Sequence, residues 1–196
     1  MTIADKITFS RLVMAPLFFI VYLLQVFFPR WDAAGAFWTI PVLWLLFIVS
    51  EITDLVDGKV ARGRNEVTDF GKLFDPFADV LVRITYFLCF VVDGILPVLL
   101  FLLVLYREFG IQFLRTLMMK QGIAMGARWG GKIKAFTYML SGGVALIAST
   151  VRRLGMDESL FSIFKYIAVG IFAVSVIISV VSFFDYVSVY RKAGKN

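Results

Sequence analysis

The chain has 196 residues, 60% of them hydrophobic and only 17% charged, with a mean hydropathy of +0.87 and a formal net charge of +6. A soluble domain of this length carries about 25% charged and about 45–50% apolar residues, so the excess apolar surface excludes a soluble globule and reads as an integral membrane protein. There is no histidine and Cys89 is the only cysteine, which excludes His-based metal sites, serine and cysteine triads and an internal disulfide, and leaves only hard, oxygen-ligated metal ions.

The length corresponds to a single domain over residues 1–196, with room for about six or seven membrane helices of roughly 20 residues each. The N-terminus, Met1-Thr-Ile-Ala-Asp5-Lys6, has no A-x-A-like cleavage site and reads as retained structure. A short amphipathic lead-in (2–11) precedes a first span at roughly 12–28, which ends at Pro29. Further apolar runs lie at roughly 36–58, 69–92, 95–118, 133–151 and 160–190. The breaks between them fall at 28–32, 63–65, Asp93-Gly94, 120–122 and 152–159. The expected fold is therefore all-α, a polytopic membrane protein with six transmembrane helices.

Charge sets the orientation. Lys6 and Arg11 flank the start; Lys59, Arg62, Arg64 and Lys72 flank the second break; Lys120, Arg128, Lys132 and Lys134 flank the fourth; Arg191, Lys192 and Lys195 close the chain. The opposite side carries Arg30, Arg152, Arg153 and Lys165, partly offset by Asp32, Asp157 and Glu158. The positive-inside rule places both termini and the second and fourth breaks in the cytoplasm. A positive charge concentrated on one face suits anionic lipid headgroups and phosphorylated substrates rather than nucleic acid.

Ionisable side chains inside apolar spans are costly and mark functional sites. Asp54 and Asp57 are three apart at the end of the second span, and Asp75 and Asp79 are four apart at the start of the third, so each pair shares a helix face. The short loop between these spans makes them antiparallel, and the four carboxylates can converge near the cytoplasmic surface. Such a cluster needs a cation or protons to neutralise it, and a divalent ion of the magnesium class suits it. Gly58 and Ala61 lie beside the acidic face and Gly71 one turn before Asp75, where small side chains let a bulky ligand approach the backbone. Arg62, Arg64, Lys72, Lys132 and Lys134 can hold phosphates around it. Two classes fit these residues: metal-assisted phosphoryl transfer on a lipid-borne diphosphate, or a cation or proton path in a transporter.

The run Asp54-x2-Asp57-Gly58-x2-Ala61-Arg62-x8-Gly71-x3-Asp75-x3-Asp79 resembles the signature of the CDP-alcohol phosphotransferases. The resemblance implies a six-helix membrane fold, a homodimer, and a site open to the cytoplasm, with CMP as leaving group and one or two Mg2+ or Mn2+ ions as cofactor. It implies that Asp54, Asp57, Asp75 and Asp79 ligate the metal and that Asp79 is the catalytic base. Asp54, Gly58, Ala61, Arg62 and Gly71 would form the cytidine diphosphate pocket.

Beyond the signature, Thr8-x2-Arg11-x4-Pro16, Arg107-Glu108-x6-Arg115 and Trp129-x-Gly131-Lys132-x-Lys134 resemble the bacterial phosphatidylglycerophosphate synthase branch of that family, over roughly residues 4–140. That likeness implies CDP-diacylglycerol and glycerol 3-phosphate as substrates, a bacterial cytoplasmic membrane, and Thr8 in the CDP pocket. Arg107 and Arg115 are eight apart, close to one helix face, and with Lys132 and Lys134 they form a set suited to the acceptor's dianionic phosphate. Arg107 also reads as an ion-pair partner of Glu108, and Arg83, one turn after Asp79, as a tuning ion pair. Two positions depart from the branch: Asp5 replaces the usual Asn, and Val80 stands where Lys is typical. Both bear on the acceptor, which leaves phosphatidylglycerol, inositol phosphate, or CDP-choline or CDP-ethanolamine transfer onto diacylglycerol as alternatives.

Overall fold

The computed structural model describes residues 3–27, 32–63, 69–120 and 129–193, with the backbone alone at 3–5, 32–34, 55–63, 69–70, 72–73, 129–130, 132 and 192–193. The described residues form six helices: α1 (Ile3–Phe27), α2 (Asp32–Gly63), α3 (Asp69–Val92), α4 (Val98–Lys120), α5 (Trp129–Arg153) and α6 (Glu158–Ala193). The all-α expectation holds. The expected lead-in is not a separate element, because residues 3–11 run on into the first span as one helix, and Thr8 and Arg11 are only 0% and 1% exposed.

Four helices contain stretches long and apolar enough to cross a bilayer: Lys6–Phe27, Gly35–Asp54, Ile133–Arg153 and Glu158–Arg191. The apolar lengths of α3 and α4 are interrupted by Asp75, Asp79 and Arg83 and by Arg107, Glu108 and Arg115. Four of these six, Asp75, Asp79, Arg107 and Arg115, are charges singled out above for the site. The molecule is a membrane protein in which the two helices without such a stretch, α3 and α4, carry much of the candidate chemistry.

Helix α1 packs on α2 and α3, while α5 and α4 pack on α6. Within lipid, close packing and polar contacts between helices hold such a bundle together. Phe18 and Tyr22 of α1 meet Tyr86 and Phe90 of α3, and Phe87 stacks toward Tyr138 of α5 and Phe172 of α6 at 5.4 and 4.7 Å between ring centroids. Gly142 brings α5 against this cluster. A Cβ there would lie 3.1 Å from the rings of both Phe47 and Tyr86, so the close approach needs the missing side chain.

Two of the expected breaks are helix-ending turns with glycine in the left-handed region, Gly94 (φ +70°) and Gly155 (φ +62°). The other three breaks lie, in whole or in most of their residues, outside the described residues. A polar network closes the end of the bundle near these turns. Tyr22 Oη donates to Asp93 Oδ2 at 2.7 Å and lies 2.9 Å from Ser149 Oγ. Arg152 pairs with the Asp93 carboxylate and donates to its carbonyl at 2.9 Å. Arg153 reaches Gln25, Ser149 and the Tyr22 carbonyl. Arg152 thus takes its ion-pair partner from the turn after α3.

Candidate active site

At the opposite end of the bundle, three helices meet in a polar junction. Arg11 of α1 donates through Nη1 to Asp54 Oδ1 of α2 at 3.0 Å, and the same nitrogen reaches Asp79 Oδ1 of α3. Arg83, one turn along α3 from Asp79, donates through Nη2 to Asp54 Oδ2 at 2.9 Å. One turn toward the start of α3, Asp75 Oδ1 accepts a 2.6 Å hydrogen bond from Thr8 Oγ1. Thr8 and Arg11 are three apart on α1 and share a face, so one turn of α1 reaches both Asp75 and the Asp54–Asp79 pair.

Asp54 and Asp79 open onto a cavity of about 370 Å³, lined from α2 and α3 by Asp54, Asp79 and Arg83 and from α4 and α5 by Arg107, Glu108, Arg115 and Lys134. Glu108 is only 4% exposed and takes two cations. Arg107 Nη1 donates to both of its oxygens at 3.0 and 3.1 Å, and Lys134 Nζ to the same two at 2.7 and 3.0 Å. Arg107 is held further by the Ser179 carbonyl of α6 at 3.0 Å. Gln112 Nε2 donates to the Pro76 carbonyl at 2.8 Å and ties α4 to α3 beside Asp75. The lining carries four cations, Arg83, Arg107, Arg115 and Lys134, against three acids, Asp54, Asp79 and Glu108. Arg11 adds a fifth cation to Asp54 and Asp79 from the α1 side. A cavity of this balance suits an anion of the size of a small phosphate ester.

Among the described side chains, the structure brings together most of those singled out in the sequence. Asp54, Asp79, Arg107, Arg115 and Lys134 line one cavity, and Thr8 joins Asp75 one turn of α3 before Asp79. Gly71 lies a further turn back on α3 and is half-buried. The side chains of Asp57, Gly58, Ala61, Arg62 and Lys132 lie outside the described residues, although their backbones are helical. Arg83 does form an ion pair, and its partner is Asp54 on the neighbouring helix. Arg107 is both things at once, the ion-pair partner of Glu108 and a wall of the cavity.

Three participants were not legible as such. Arg11 had only a topological charge and a place in a motif. Glu51, 9% exposed and one turn before Asp54, accepts a hydrogen bond from Tyr86 Oη at 3.1 Å; its spacing of three from Asp54 inside an apolar run was the available signal. Glu108 proves to organise two basic side chains, where the sequence offered only its neighbour Arg107.

The donor set can be weighed against a divalent metal on its chemistry. Asp54, Asp75 and Asp79 supply hard carboxylate oxygens from facing ends of α2 and α3, the type of ligand such an ion takes. Among the described residues no three acidic side chains come together as a ligand group, and the Asp57 carboxylate lies outside them. The position between Asp54 and Asp79 is taken by the Arg11 guanidinium. The donors fit a hard ion in kind, and Arg11 supplies the neutralising charge in this arrangement.

Comparison with known proteins finds relatives over most of the chain. A family model described as CDP-alcohol phosphatidyltransferase matches residues 1–181. The chain is 36% identical to the CDP-diacylglycerol–glycerol-3-phosphate 3-phosphatidyltransferase of Treponema pallidum (strain Nichols), over 97% of this chain and 89% of that protein. It is 33% identical to the protein of the same name from Bacillus subtilis (strain 168), over 73% of this chain and 75% of the relative. The extent of the match, across all the helices that build the acidic junction and the basic cavity, places the chain in the CDP-alcohol phosphatidyltransferase family.

Proposed function

We propose that this protein transfers the phosphatidyl group of CDP-diacylglycerol to the 1-hydroxyl of sn-glycerol 3-phosphate, giving phosphatidylglycerophosphate and CMP. The observation that carries the reading is the single cavity in which Asp54 and Asp79 face Arg107, Arg115 and Lys134. One side of it suits the reacting diphosphate and the other the acceptor's phosphate. Four cations in the lining also weigh against a path for cations. Two relatives that match most of this chain bear the name of the same transfer.

In this reading the donor enters from the cytoplasmic leaflet with its acyl chains left in lipid. Asp54, Asp57, Asp75 and Asp79 would hold one or two Mg2+ or Mn2+ ions, which would supply Lewis-acid polarisation of the diphosphate and charge stabilisation for departing CMP. Arg107, Arg115, Lys132 and Lys134 orient the acceptor by its phosphate. Gly58, Ala61, Arg62, Gly71 and Thr8 shape the donor pocket. An Asp79 carboxylate oxygen takes the hydroxyl proton, the freed oxygen forms a bond to the phosphorus bearing diacylglycerol, and the bond from that phosphorus to CMP breaks with its electrons. All six helices cross the bilayer: α3 and α4, with 24 and 23 residues, are each about 35 Å long against a hydrocarbon core of about 30 Å, and their charges turn inward to the cavity and junction. Both termini and the site lie on the cytoplasmic side of a bacterial inner membrane.

The experiment is a CMP-release assay on purified protein with CDP-diacylglycerol and manganese or magnesium. Glycerol 3-phosphate, inositol phosphate, phosphatidylglycerol and serine are offered separately, and CDP-choline with diacylglycerol is tested alongside. Release that depends on glycerol 3-phosphate is expected. Release with a different acceptor alone overturns the acceptor, and no release under any condition overturns the enzyme.

A further inference from the structure

The cations of the cavity differ in how far their donors are engaged. Both oxygens of Glu108 absorb Arg107 Nη1 and Lys134 Nζ, and α6 takes other Arg107 nitrogens through the Ser179 carbonyl and Ser182 Oγ. Arg83 is different. A guanidinium has five N–H donors, and among the described residues Arg83 makes one hydrogen bond, from Nη2 to Asp54 Oδ2 at 2.9 Å. None of its nitrogens is a sealed, unsatisfied atom, its side chain is 12% exposed, and it lines the same cavity as Asp54, Asp79, Arg107, Arg115 and Lys134. It also borders a smaller space beside Arg11 and Glu51, and a donor not spent on Asp54 can turn to a ligand in the larger cavity.

We propose that Arg83 is a substrate-binding residue that joins the two halves of the site, fixing Asp54 with one donor and holding a phosphoryl oxygen of a bound substrate with the others. This rests on the function proposed above. Asp79, Asp54 and Arg83 line one cavity, so the same guanidinium that sets the Asp54 carboxylate also registers the phosphate against it. A planar fork suits that double contact in a way that an ammonium does not. The phosphoryl oxygen belongs either to the acceptor's phosphomonoester or to the donor's diphosphate. Val80 lines the same cavity three residues earlier on α3, on a neighbouring part of the helix face, so a cation placed there enters the same space without touching the role of Arg83 toward Asp54.

The test uses the full chain as wild type, R83Q, R83K and the double variant R83Q/V80K. Binding of glycerol 3-phosphate and of CDP is measured by calorimetry, and the KM of each substrate by CMP release. R83Q is expected to weaken one ligand by about 10–100-fold, the worth of a charge-assisted hydrogen bond; loss for glycerol 3-phosphate assigns the contact to the acceptor, and loss for CDP to the donor. R83K, which keeps a charge beside Asp54, is expected to weaken the same ligand by about fivefold or more. V80K is expected to restore a large part of the loss. Unchanged binding of both ligands in R83Q or R83K overturns the proposal, as does a fall in kcat alone that V80K does not repair, since that is the behaviour of a residue that only positions Asp54. A wild type that binds both ligands but releases no CMP overturns the proposed function while the binding arm still decides the role of Arg83, and one that binds neither overturns both.

Discussion

Arg11 and Asp79 are joined across α1 and α3 by the same guanidinium nitrogen that reaches Asp54 on α2. Three helices thus converge on one buried positive charge, at the place where the acidic signature calls for a cation. Without it, two carboxylates, each about a quarter exposed, would face one another across a low-dielectric junction. Arg11→Gln is expected to lower stability by ~3 kcal/mol, at the low end for breaking a buried pair because both acids keep some contact with water. Thermal unfolding in metal-free detergent measures it. Manganese is expected to raise the melting temperature of the variant more than that of the wild type, since the ion takes over the neutralisation; an equal rise would mean that Arg11 and metal do not share these carboxylates.

Asp79 is placed to accept a proton because its carboxylate opens onto the cavity that also holds Arg107 and Lys134. Asp79→Asn keeps its size and much of its hydrogen bonding while removing the base. Turnover is expected to fall by at least about 10²-fold, the usual contribution of a general base, with the melting temperature close to wild type. CMP release alongside a melt reads both quantities. Near-normal turnover would remove Asp79 from the proton-transfer role.

Glu108 and its two cations are unequal partners. Lys134→Met leaves Glu108 paired with Arg107, whereas Glu108→Gln leaves two cations, 6% and 8% exposed, side by side with no anion. Glu108→Gln is therefore expected to be the more destabilising change, by about 2 kcal/mol or more over Lys134→Met. It is also expected to raise the KM for glycerol 3-phosphate through misplacement of Arg107. Parallel melts and acceptor titrations check the order, and a larger loss in Lys134→Met would show that Glu108 is not the organising charge.

The network at the other end separates stability from chemistry. Asp93 directly follows the last residue of α3, which is 13 residues past Asp79, or about 20 Å along the axis, and the Tyr22 hydroxyl meets Asp93 there. Tyr22→Phe removes the hydroxyl that meets Asp93 and Ser149 at 2.7 and 2.9 Å. A loss of about 1–3 kcal/mol is expected, because buried groups are left with fewer partners, with the CMP-release rate per folded molecule unchanged. A change in KM without a change in melting temperature would contradict this division.

Much of the molecule could be read locally. Each apolar run became a helix, Asp93-Gly94 and the segment around Gly155 became turns because glycine tolerates the left-handed conformation, and the spacings of Asp54, Asp79, Arg107 and Arg115 placed them on faces that do meet at one cavity. Such readings succeed because helical periodicity and the cost of charge in an apolar span are properties of neighbouring residues.

Partners were another matter. Arg83 sits one turn from Asp79 yet pairs with Asp54, Arg152 lies near Asp157 and Glu158 yet pairs with Asp93, and Arg11 crosses from α1 to two helices at once. Sequence alone determined which faces carry charge, and with it a membrane protein built around buried acids and bases. Only the tertiary structure decided which charge meets which, because that choice depends on how α1, α2, α3 and α5 cross, and the crossings are set by close packing such as that of Gly142 against Phe47 and Tyr86.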